Sequence, residues 1–238
     1  MVATIERARP SRVKGVIFDL DDTLVLSTVD YVRFKRLIIE RIALEGEDVR
    51  DYRPDDGIIS LIDRFRHGME ASGRSPSEVQ EVLREFDQIM DDVELERADE
   101  TKAIPGAAGL LALLRDRGVK IGVLTRGCER YARFVLRLTG MLDLVDAIEC
   151  RNSDVPPKPS PEPYWRLAAQ LGLQPEETVF VGDHLIDAKC ASSAGVMFIG
   201  VRTGDLTEQE LRDAGSTEVF TSVAEMMPWF DEALRDGH

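Results

Sequence analysis

Short apolar runs recur along most of the chain, and most are followed by a segment with apolar residues at helical spacing. The first run, residues 13–18 (VKGVIF), is rich in β-favouring residues and has the length of a buried strand. Runs of the same kind predict further strands at 120–125, 144–150, 178–183 and 196–201, with a last short strand near Val219.

The segments between these later strands are predicted to be helical. Pro105 and Gly106 open an amphipathic run that is closed by Gly118, a residue typical of the position after a helix C-terminus. Further helices are predicted at 130–140, 163–171 and 185–195, and two more within 207–235. Because alternating strands and helices favour a parallel sheet covered on both faces, the predicted fold class is α/β, with a Rossmann-like doubly wound parallel sheet as its core.

Residues 28 to about 100 break this alternation. Three successive apolar stripes have helical spacing, and no strand is predicted between them. The stripes comprise Tyr31, Phe34, Ile38 and Ile42, then Ile58, Ile62, Phe65 and Met69, then Val79, Leu83, Phe86, Met90 and Val93. The pattern therefore predicts an all-helical domain of residues 25–102, inserted after the first strand into a core formed by residues 1–24 and 103–238.

The net negative charge of the chain argues against negatively charged binding partners. Its 238 residues include 44 acidic and 30 basic side chains, which gives a formal net charge of −14. Nucleic acids and anionic membranes carry charge of the same sign, so neither is expected as a partner. Hydrophobic residues make up 43% of the chain, which is enough for a sizeable buried core.

The sequence predicts a cytoplasmic location. No apolar run approaches the ~20 residues that a transmembrane helix needs. The N-terminal residues 1–15 lack the apolar stretch of a secretory signal and are predicted to form a short frayed arm. Three widely spaced cysteines without a CxxC pair fit reduced thiols in a cytoplasmic enzyme better than disulfides or a zinc site; they are Cys128, Cys150 and Cys190.

Polar groups stand at the ends of three predicted strands. The first strand runs directly into Asp19 and Asp21, within the stretch VIFDLDDT. Thr125 and Asp183 end two later strands, and Lys158 lies among prolines ahead of a helix. Ligands of an open parallel sheet bind in the crevice beyond the carboxyl ends of its strands. These side chains are therefore predicted to share one site.

Clustered carboxylates in that crevice need a compensating cation. Two like charges 4 Å apart repel by ~4 kcal/mol at an effective dielectric of 20. Magnesium suits a site of oxygen ligands that also admits phosphate and water. The sequence therefore predicts a Mg²⁺ site among Asp19, Asp21, Asp183 and Asp187.

Four segments, in this order, resemble the motifs of the haloacid dehalogenase superfamily of phosphotransferases. FDLDDTL is similar to the first motif, VLTRG to the second, PKPSPEPY to the third and VFVGDHLID to the fourth. The resemblance covers essentially the whole chain. The helical insertion is similar to the cap of the phosphoglycolate phosphatase and β-phosphoglucomutase branch, which implies a cap that closes over the site and excludes water.

The resemblance implies a role for each carboxylate. Asp19 would be the nucleophile that attacks phosphorus and becomes an aspartyl-phosphate. Asp21 would donate a proton to the leaving oxygen and later take one from the attacking water. Asp19, Asp183 and the backbone carbonyl of Asp21 would ligate the metal, with Asp187 supporting them indirectly or through water.

The second and third motifs are expected to bind the phosphate. Lys158 would offset negative charge on the nucleophile and the phosphate, while the Thr125 hydroxyl and nearby backbone N–H groups would hold phosphate oxygens. Arg126 follows Thr125 where relatives frequently have asparagine. Contact with the phosphate and contact with an acidic neighbour are both open for its side chain.

For other polar residues, beside the motifs and in the insertion, the sequence gives less support for a role in catalysis or binding. Thr23 is expected to cap its loop through the hydroxyl, and Asp22 is expected to be structural where many relatives carry glycine. His184 is expected to form local hydrogen bonds. Arg50 and Arg53, on a loop of the insertion, would bind substrate or be solvated charges, and the acidic surroundings favour the second interpretation.

The predicted activity is hydrolysis of a small phosphorylated metabolite. A phosphomutase, which uses the same residues but protects its aspartyl-phosphate from water, is the main alternative. A 2-haloacid dehalogenase would not need Asp21, and phosphonate cleavage would need a lysine of the cap, where Lys35 is the only one well inside. An intact set of motif residues disfavours a non-catalytic binding module. The substrate and the oligomeric state stay open.

Overall fold

The structure is a computed structural model that describes residues 13–53 and 56–235, so the predicted N-terminal arm lies largely outside the described residues. The strands are β1 (Gly15–Phe18), β2 (Val25–Leu26), β3 (Lys102–Ala103), β4 (Lys120–Leu124), β5 (Ala147–Glu149), β6 (Thr178–Gly182), β7 (Met197–Val201) and β8 (Glu218–Phe220). The α-helices are α1 (Tyr31–Leu44), α2 (Ile58–Ala71), α3 (Pro76–Glu96), α4 (Ala107–Asp116), α5 (Glu129–Leu138), α6 (Glu162–Gln170), α7 (Leu185–Ala194), α8 (Glu208–Asp213) and α9 (Met226–Arg235). Among the described residues, no helix is long and apolar enough to cross a membrane.

Six strands form one parallel sheet in the order β5-β4-β1-β6-β7-β8. The first strand lies in the middle, where Ile17 is in register with Gly122 of β4 and with Phe180 of β6. All four residues of β1 are buried, as expected for a parallel strand covered on both faces of its sheet. The predicted α/β fold with a Rossmann-like parallel sheet is confirmed.

One strand is shorter than the sequence indicated. Leu142–Leu144 forms a 3₁₀ turn, and β5 begins only at Ala147. The carboxylate of Asp146 accepts hydrogen bonds from the backbone N–H of Ile121 at 2.8 Å and from the ammonium of Lys120 at 3.0 Å. The N–H of Ile121 therefore bonds to a side chain at the point where β5 begins.

Aromatic side chains pack around β6. The Phe180 ring centroid lies 5.4 Å from that of Tyr164 on α6 and 6.0 Å from that of Phe198 on β7. All three side chains are buried. The hydroxyls of Tyr164 and Thr178 share a hydrogen bond of 2.7 Å, so the phenol is satisfied inside the core. This packing fixes the strand that directly precedes Asp183.

The chain divides into two compact units, one formed by the chain before Thr28 and after Ala98, the other by Thr28–Ala98. The second unit contains α1, α2 and α3. In its core, the ring centroids of Phe65 and Phe86 lie 5.1 Å apart. The three predicted apolar stripes line this core except for Tyr31, which is the first residue of α1 and is 47% exposed.

The two shortest strands pair with each other in an antiparallel ribbon. Val25 lies opposite Ala103, and Leu26 lies opposite Lys102. Both strands belong to the first unit, which extends to Ser27 and resumes at Asp99. The segments on either side of the helical unit are therefore paired strands, and the sequence analysis predicted neither strand.

Within the described residues, the three cysteines form no disulfide. Cys128 and Cys190 are buried, and Cys150 is half-buried. Burial raises the pKa of Cys150 and of Cys190 to about 12. Because the thiolate is the reactive form of cysteine, these two thiols are expected to be unreactive at neutral pH.

Candidate active site

Three neighbouring parallel strands bring polar side chains to one edge of the sheet. Asp19 follows β1, Thr125 follows β4 and Asp183 follows β6. All three residues are buried. The backbone N–H of Asp19 donates to the carbonyl of Val181 at 2.9 Å, so sheet pairing continues up to the first carboxylate. The structure thus brings the predicted strand-end residues together.

Lys158 bridges two carboxylates. Its ammonium lies 2.5 Å from Oδ1 of Asp19 and 2.6 Å from Oδ1 of Asp187. The lysine side chain is 3% exposed, and its Nζ lies 5.6 Å from the ring centroid of Phe180. Although burial lowers the pKa of Lys158, the carboxylates of Asp187 and Asp19 raise it above its ordinary value. The ammonium is therefore charged at neutral pH and sits in a low-dielectric environment.

Asp187 is fixed at the beginning of α7. Its Oδ2 accepts a hydrogen bond from the backbone N–H of His184 at 3.1 Å, and Nδ1 of His184 accepts from the N–H of Ile186 at 3.2 Å. His184 and Asp187 form the capping box of this helix. Burial lowers the pKa of His184, in agreement with an unprotonated Nδ1. The local hydrogen bonding predicted for His184 is confirmed.

The carboxylates of Asp19, Asp183 and Asp187 form a cluster in which one oxygen of each lies within 4.8 Å of the others. Three ionised carboxylates facing one ammonium leave two negative charges uncompensated. Burial raises the pKa of Asp183 to about 7 and that of Asp19 well above its ordinary value. A further cation would favour the ionised forms of Asp19 and Asp183. Because the candidate ligands are all oxygen atoms, the cluster fits a hard divalent ion such as Mg²⁺.

Thr23 connects the first motif to Asp183. Its hydroxyl is fully buried and donates to Oδ1 of Asp183 at 3.0 Å. The sequence predicted a cap within its own loop, so the observed partner differs from the expected one. The bond runs from the loop after β1 to the end of β6, and it fixes the orientation of the Asp183 carboxyl group.

Asp21 is held by a tyrosine that lies outside the four motifs. The hydroxyl of Tyr131 on α5 donates to Oδ1 of Asp21 at 2.5 Å. Tyr131 is completely buried, whereas Asp21 is half-buried. Asp21 is not a member of the group that Asp19, Asp183 and Asp187 form.

Backbone contacts hold the loop after β4 in place. The N–H of Thr125 donates to the carbonyl of Glu149 at 3.0 Å, and the N–H of Gly127 donates to the Thr125 hydroxyl oxygen at 2.9 Å. The guanidinium of Arg151 donates to the carbonyl of Arg126 at 2.8 Å. Because the Thr125 hydroxyl accepts here, its proton can be donated to a phosphate oxygen. The side chain of Arg126 is half-buried.

Asp22 adopts a left-handed backbone conformation, with φ of 55°. Its Oδ1 accepts from the N–H of Ser27 at 3.2 Å, and its carbonyl accepts from the hydroxyl of Thr203. A left-handed conformation costs glycine nothing and is tolerated by aspartate. The contacts support the structural role predicted for Asp22.

The two arginines predicted as cap contacts lie in the second unit. Arg50 is part of the 3₁₀ turn Val49–Asp51, where its guanidinium pairs with the carboxylate of Asp48, and both side chains are exposed. Arg53 is also exposed, and its N–H donates to Oδ2 of Asp56 at 3.1 Å. A contact of either arginine with substrate stays a prediction.

Sequence reasoning missed several contributors to this arrangement. A hydrogen bond of Tyr131 could have been predicted, because a tyrosine on the buried face of an amphipathic helix needs a partner for its hydroxyl. Arg151 lies in an irregular segment, and nothing in its neighbourhood distinguishes it from a solvated arginine. The direct bond from Lys158 to Asp187 was also missed, because spacing predicts a shared edge but not which atoms meet.

Gly182 provides the space that Asp187 occupies. A Cβ added to Gly182 would lie 2.7 Å from Oδ2 of Asp187 and 2.8 Å from its Cβ and Cγ. Gly182→Ala is therefore expected to lower the free energy of unfolding by about 1–3 kcal/mol, since the side chain of Asp187 must move. Chemical denaturation checks this, with Gly57→Ala as control because nothing lies within 4 Å of its added Cβ. Equal stability of the two variants would contradict the assigned packing.

A family model for haloacid dehalogenase-like hydrolases matches residues 13–195. The chain therefore belongs to the haloacid dehalogenase-like hydrolases. This agrees with the parallel sheet and with the position of the carboxylates and lysine at its edge. The predicted family and the prediction of an enzyme of this superfamily are confirmed.

Two relatives of the chain are named as phosphatases. N-acetylmuramic acid 6-phosphate phosphatase of Pseudomonas aeruginosa is 27% identical over 229 residues, which cover 94% of this chain and 98% of that protein. Phosphoglycolate phosphatase of Cereibacter sphaeroides is 33% identical over 189 residues, covering 77% and 83% respectively. These relatives support the predicted enzyme class, phosphatase.

A solved structure shares the fold over nearly the whole chain. The crystal structure of a hydrolase from Pseudomonas syringae matches with a TM-score of 0.67 at 22% identity. The match covers 92% of this chain and 98% of that one. The α/β architecture is thus that of known hydrolases.

Proposed function

We propose that the protein is a magnesium-dependent phosphatase that hydrolyses a small phosphorylated metabolite through an aspartyl-phosphate on Asp19. The observation that carries the proposal is the buried contact between Lys158 and Asp19, beside the carboxylates of Asp183 and Asp187. Phosphoryl transfer depends mainly on positioning and on positive charge around the phosphate. The ammonium of Lys158 orients Asp19, and the neighbouring carboxylates can hold a cation next to the phosphate. Both features support that chemistry.

In the first half of the reaction, a carboxylate oxygen of Asp19 attacks phosphorus. The bond from phosphorus to the leaving oxygen breaks as the bond to Asp19 forms. Asp21, protonated at this stage, donates its proton to the leaving oxygen, so the product leaves as an alcohol. The bond from Tyr131 to the Asp21 carboxyl group supports a fixed position for this proton donor.

In the second half, water attacks the phosphorus of the aspartyl-phosphate. Asp21 is now ionised and takes a proton from that water as the new oxygen–phosphorus bond forms. The bond to Asp19 breaks, inorganic phosphate leaves, and the Asp19 carboxylate is regenerated. Both carboxyl groups return to their starting states, with one water consumed.

The remaining residues stabilise charge. Lys158 orients Asp19 and offsets charge on the transferred group, and the Thr125 hydroxyl and backbone N–H groups of its loop donate to phosphate oxygens. Asp19, Asp183 and the carbonyl of Asp21 would hold Mg²⁺, with Asp187 supporting them while it fixes Lys158. When bound, the ion would supply positive charge next to the phosphate. Arg126, which follows Thr125 in the same loop, would add a further contact with the phosphate.

The names of the relatives suggest where to look for the substrate. One relative is named for a phosphorylated amino sugar acid and the other for phosphoglycolate, both small phosphomonoesters that carry a carboxylate. We therefore place small phosphorylated sugars and acids first among candidates. A cap role for the helical unit and a cytoplasmic location stay predictions.

Phosphate release from a panel of phosphoesters tests the proposal. Sugar phosphates, phosphoglycolate, nucleotides and amino-acid phosphates are incubated with the protein, with Mg²⁺ and with a chelator. We expect Mg²⁺-dependent release of inorganic phosphate from at least one small ester, and little release with the chelator.

Two other outcomes would change the assignment. Isomerised sugar phosphate in place of free phosphate would point to a phosphomutase, which differs only in keeping water from the aspartyl-phosphate. Binding of Mg²⁺ with no turnover of any ester would point to a non-catalytic member of the family.

A further inference from the structure

Tyr131 is held rigidly at three points within the first unit. Its backbone N–H donates to the Cys128 sulfur at 3.4 Å, where Cys128 caps the start of α5. Its ring lies against Gly127, since a Cβ added to that glycine would be 3.0 Å from Cδ1 of the ring. Its hydroxyl donates to Oδ1 of Asp21 at 2.5 Å. The side chain therefore reaches from the second motif to the first in one fixed orientation.

The geometry points to Tyr131 as a positioning residue that holds the carboxyl group of Asp21 in the orientation needed for proton transfer; this inference rests on the proposed role of Asp21. Asp21 follows the end of β1 and is half-buried, so its short side chain can rotate about two bonds. A hydrogen bond from a completely buried phenol restricts both rotations. The carboxyl group then stays in place in both halves of the reaction.

The same contacts connect the loop after β4, which is expected to hold the phosphate, to Asp21, the expected proton donor. Gly127 donates its N–H to the Thr125 hydroxyl, and its lack of a side chain leaves room for the Tyr131 ring. A larger residue at Gly127 would push against both groups. One aromatic ring, that of Tyr131, therefore contacts both the loop after β4 and Asp21. It fixes the position of the expected proton donor relative to the loop that is expected to hold the phosphate.

Tyr131→Phe tests this inference through its dependence on the leaving group. An alkyl phosphate has a poor leaving group that needs a well-placed proton donor, whereas p-nitrophenyl phosphate has a good one that needs it less. Since kcat/KM reports steps up to formation of the aspartyl-phosphate, we expect it to fall about tenfold or more for the alkyl ester. For p-nitrophenyl phosphate, we expect kcat/KM to change by less than about threefold.

Tyr164→Phe is the matched control, because it also removes one buried phenol hydroxyl from a hydrogen bond in the first unit. It is expected to leave the ratio of the two kcat/KM values unchanged. The Mg²⁺ affinity of Tyr131→Phe should equal that of the wild type. In an Asp21→Asn background, Tyr131→Phe should have no further effect on alkyl ester turnover, because both changes act through the same carboxyl group.

Three results would overturn the inference. The first is an equal loss of kcat/KM for both esters, and the second is a Tyr131→Phe variant that behaves like Tyr164→Phe. The third is failure of Tyr131→Phe to fold where Tyr164→Phe folds, which would assign the hydroxyl to stability. Failure of the proposed function itself is distinct, since the wild type would then release no phosphate or Asp21→Asn would retain full activity.

Discussion

Asp19→Asn is expected to abolish phosphate release while the fold stays intact. An amide oxygen is a poor nucleophile, and no other carboxylate of the cluster is oriented by Lys158 in the same way, since Asp187 is also bound by the N–H of His184. Turnover should fall by at least about 10³-fold, a loss of the size seen when a nucleophile is removed. Initial rates with p-nitrophenyl phosphate measure it.

Asp116→Asn is the control for that substitution. Asp116 is the last residue of α4 and is exposed, and the chemical change is the same. Its rates should match the wild type, and circular dichroism should show the same helix content for both variants. An Asp19→Asn variant that hydrolyses the ester at the wild-type rate would refute the nucleophile assignment.

Lys158→Met is expected to cause the largest loss of stability. The substitution leaves two carboxylates that shared one buried ammonium, and removing one partner of a buried ion pair costs about 3 kcal/mol or more. Urea denaturation in a chelator should therefore show a lower free energy of unfolding. Activity should be lost as well, because Asp19 would no longer be oriented.

The control and the rescue both lie on α7. Lys189→Met makes the same change at an exposed position of that helix and should alter stability by less than about 0.5 kcal/mol. Adding Asp187→Asn to Lys158→Met removes one of the uncompensated carboxylates, so it should restore part of the lost stability. Equal free energies of unfolding for Lys158→Met and Lys189→Met would show that the ion pairs of Lys158 with Asp19 and Asp187 do not stabilise the fold.

The sheet was predictable because its signals are local. A buried parallel strand is a short apolar run, and the residue that follows it must lie at the carboxyl edge, which is why Asp19, Thr125 and Asp183 could be placed from the sequence. The late start of β5 could not be predicted in this way. At its start the carboxylate of Asp146 accepts a hydrogen bond from the N–H of Ile121, a side-chain contact that the apolar pattern does not show.

The contacts within the site were less predictable because they depend on rotamers and on paths through loops. Thr23 was expected to bond within its own loop and bonds Asp183 instead, across two strand ends. The Tyr131 ring could be placed on the buried face of α5, but its partner Asp21 lies 110 residues away in the chain. Spacing carries no information about such a pair.

Calorimetric titration with Mg²⁺ tests the central claim most directly, namely that the clustered carboxylates are completed by a divalent cation. The wild type is expected to bind one Mg²⁺ per chain, and Asp183→Asn to lose that binding, since it removes a charged oxygen ligand and changes the partner of Thr23. Bound Mg²⁺ at 100 times its Kd should also stabilise the wild type by about 2.7 kcal/mol. Binding of equal strength in both proteins, or no binding to the wild type, would contradict the account.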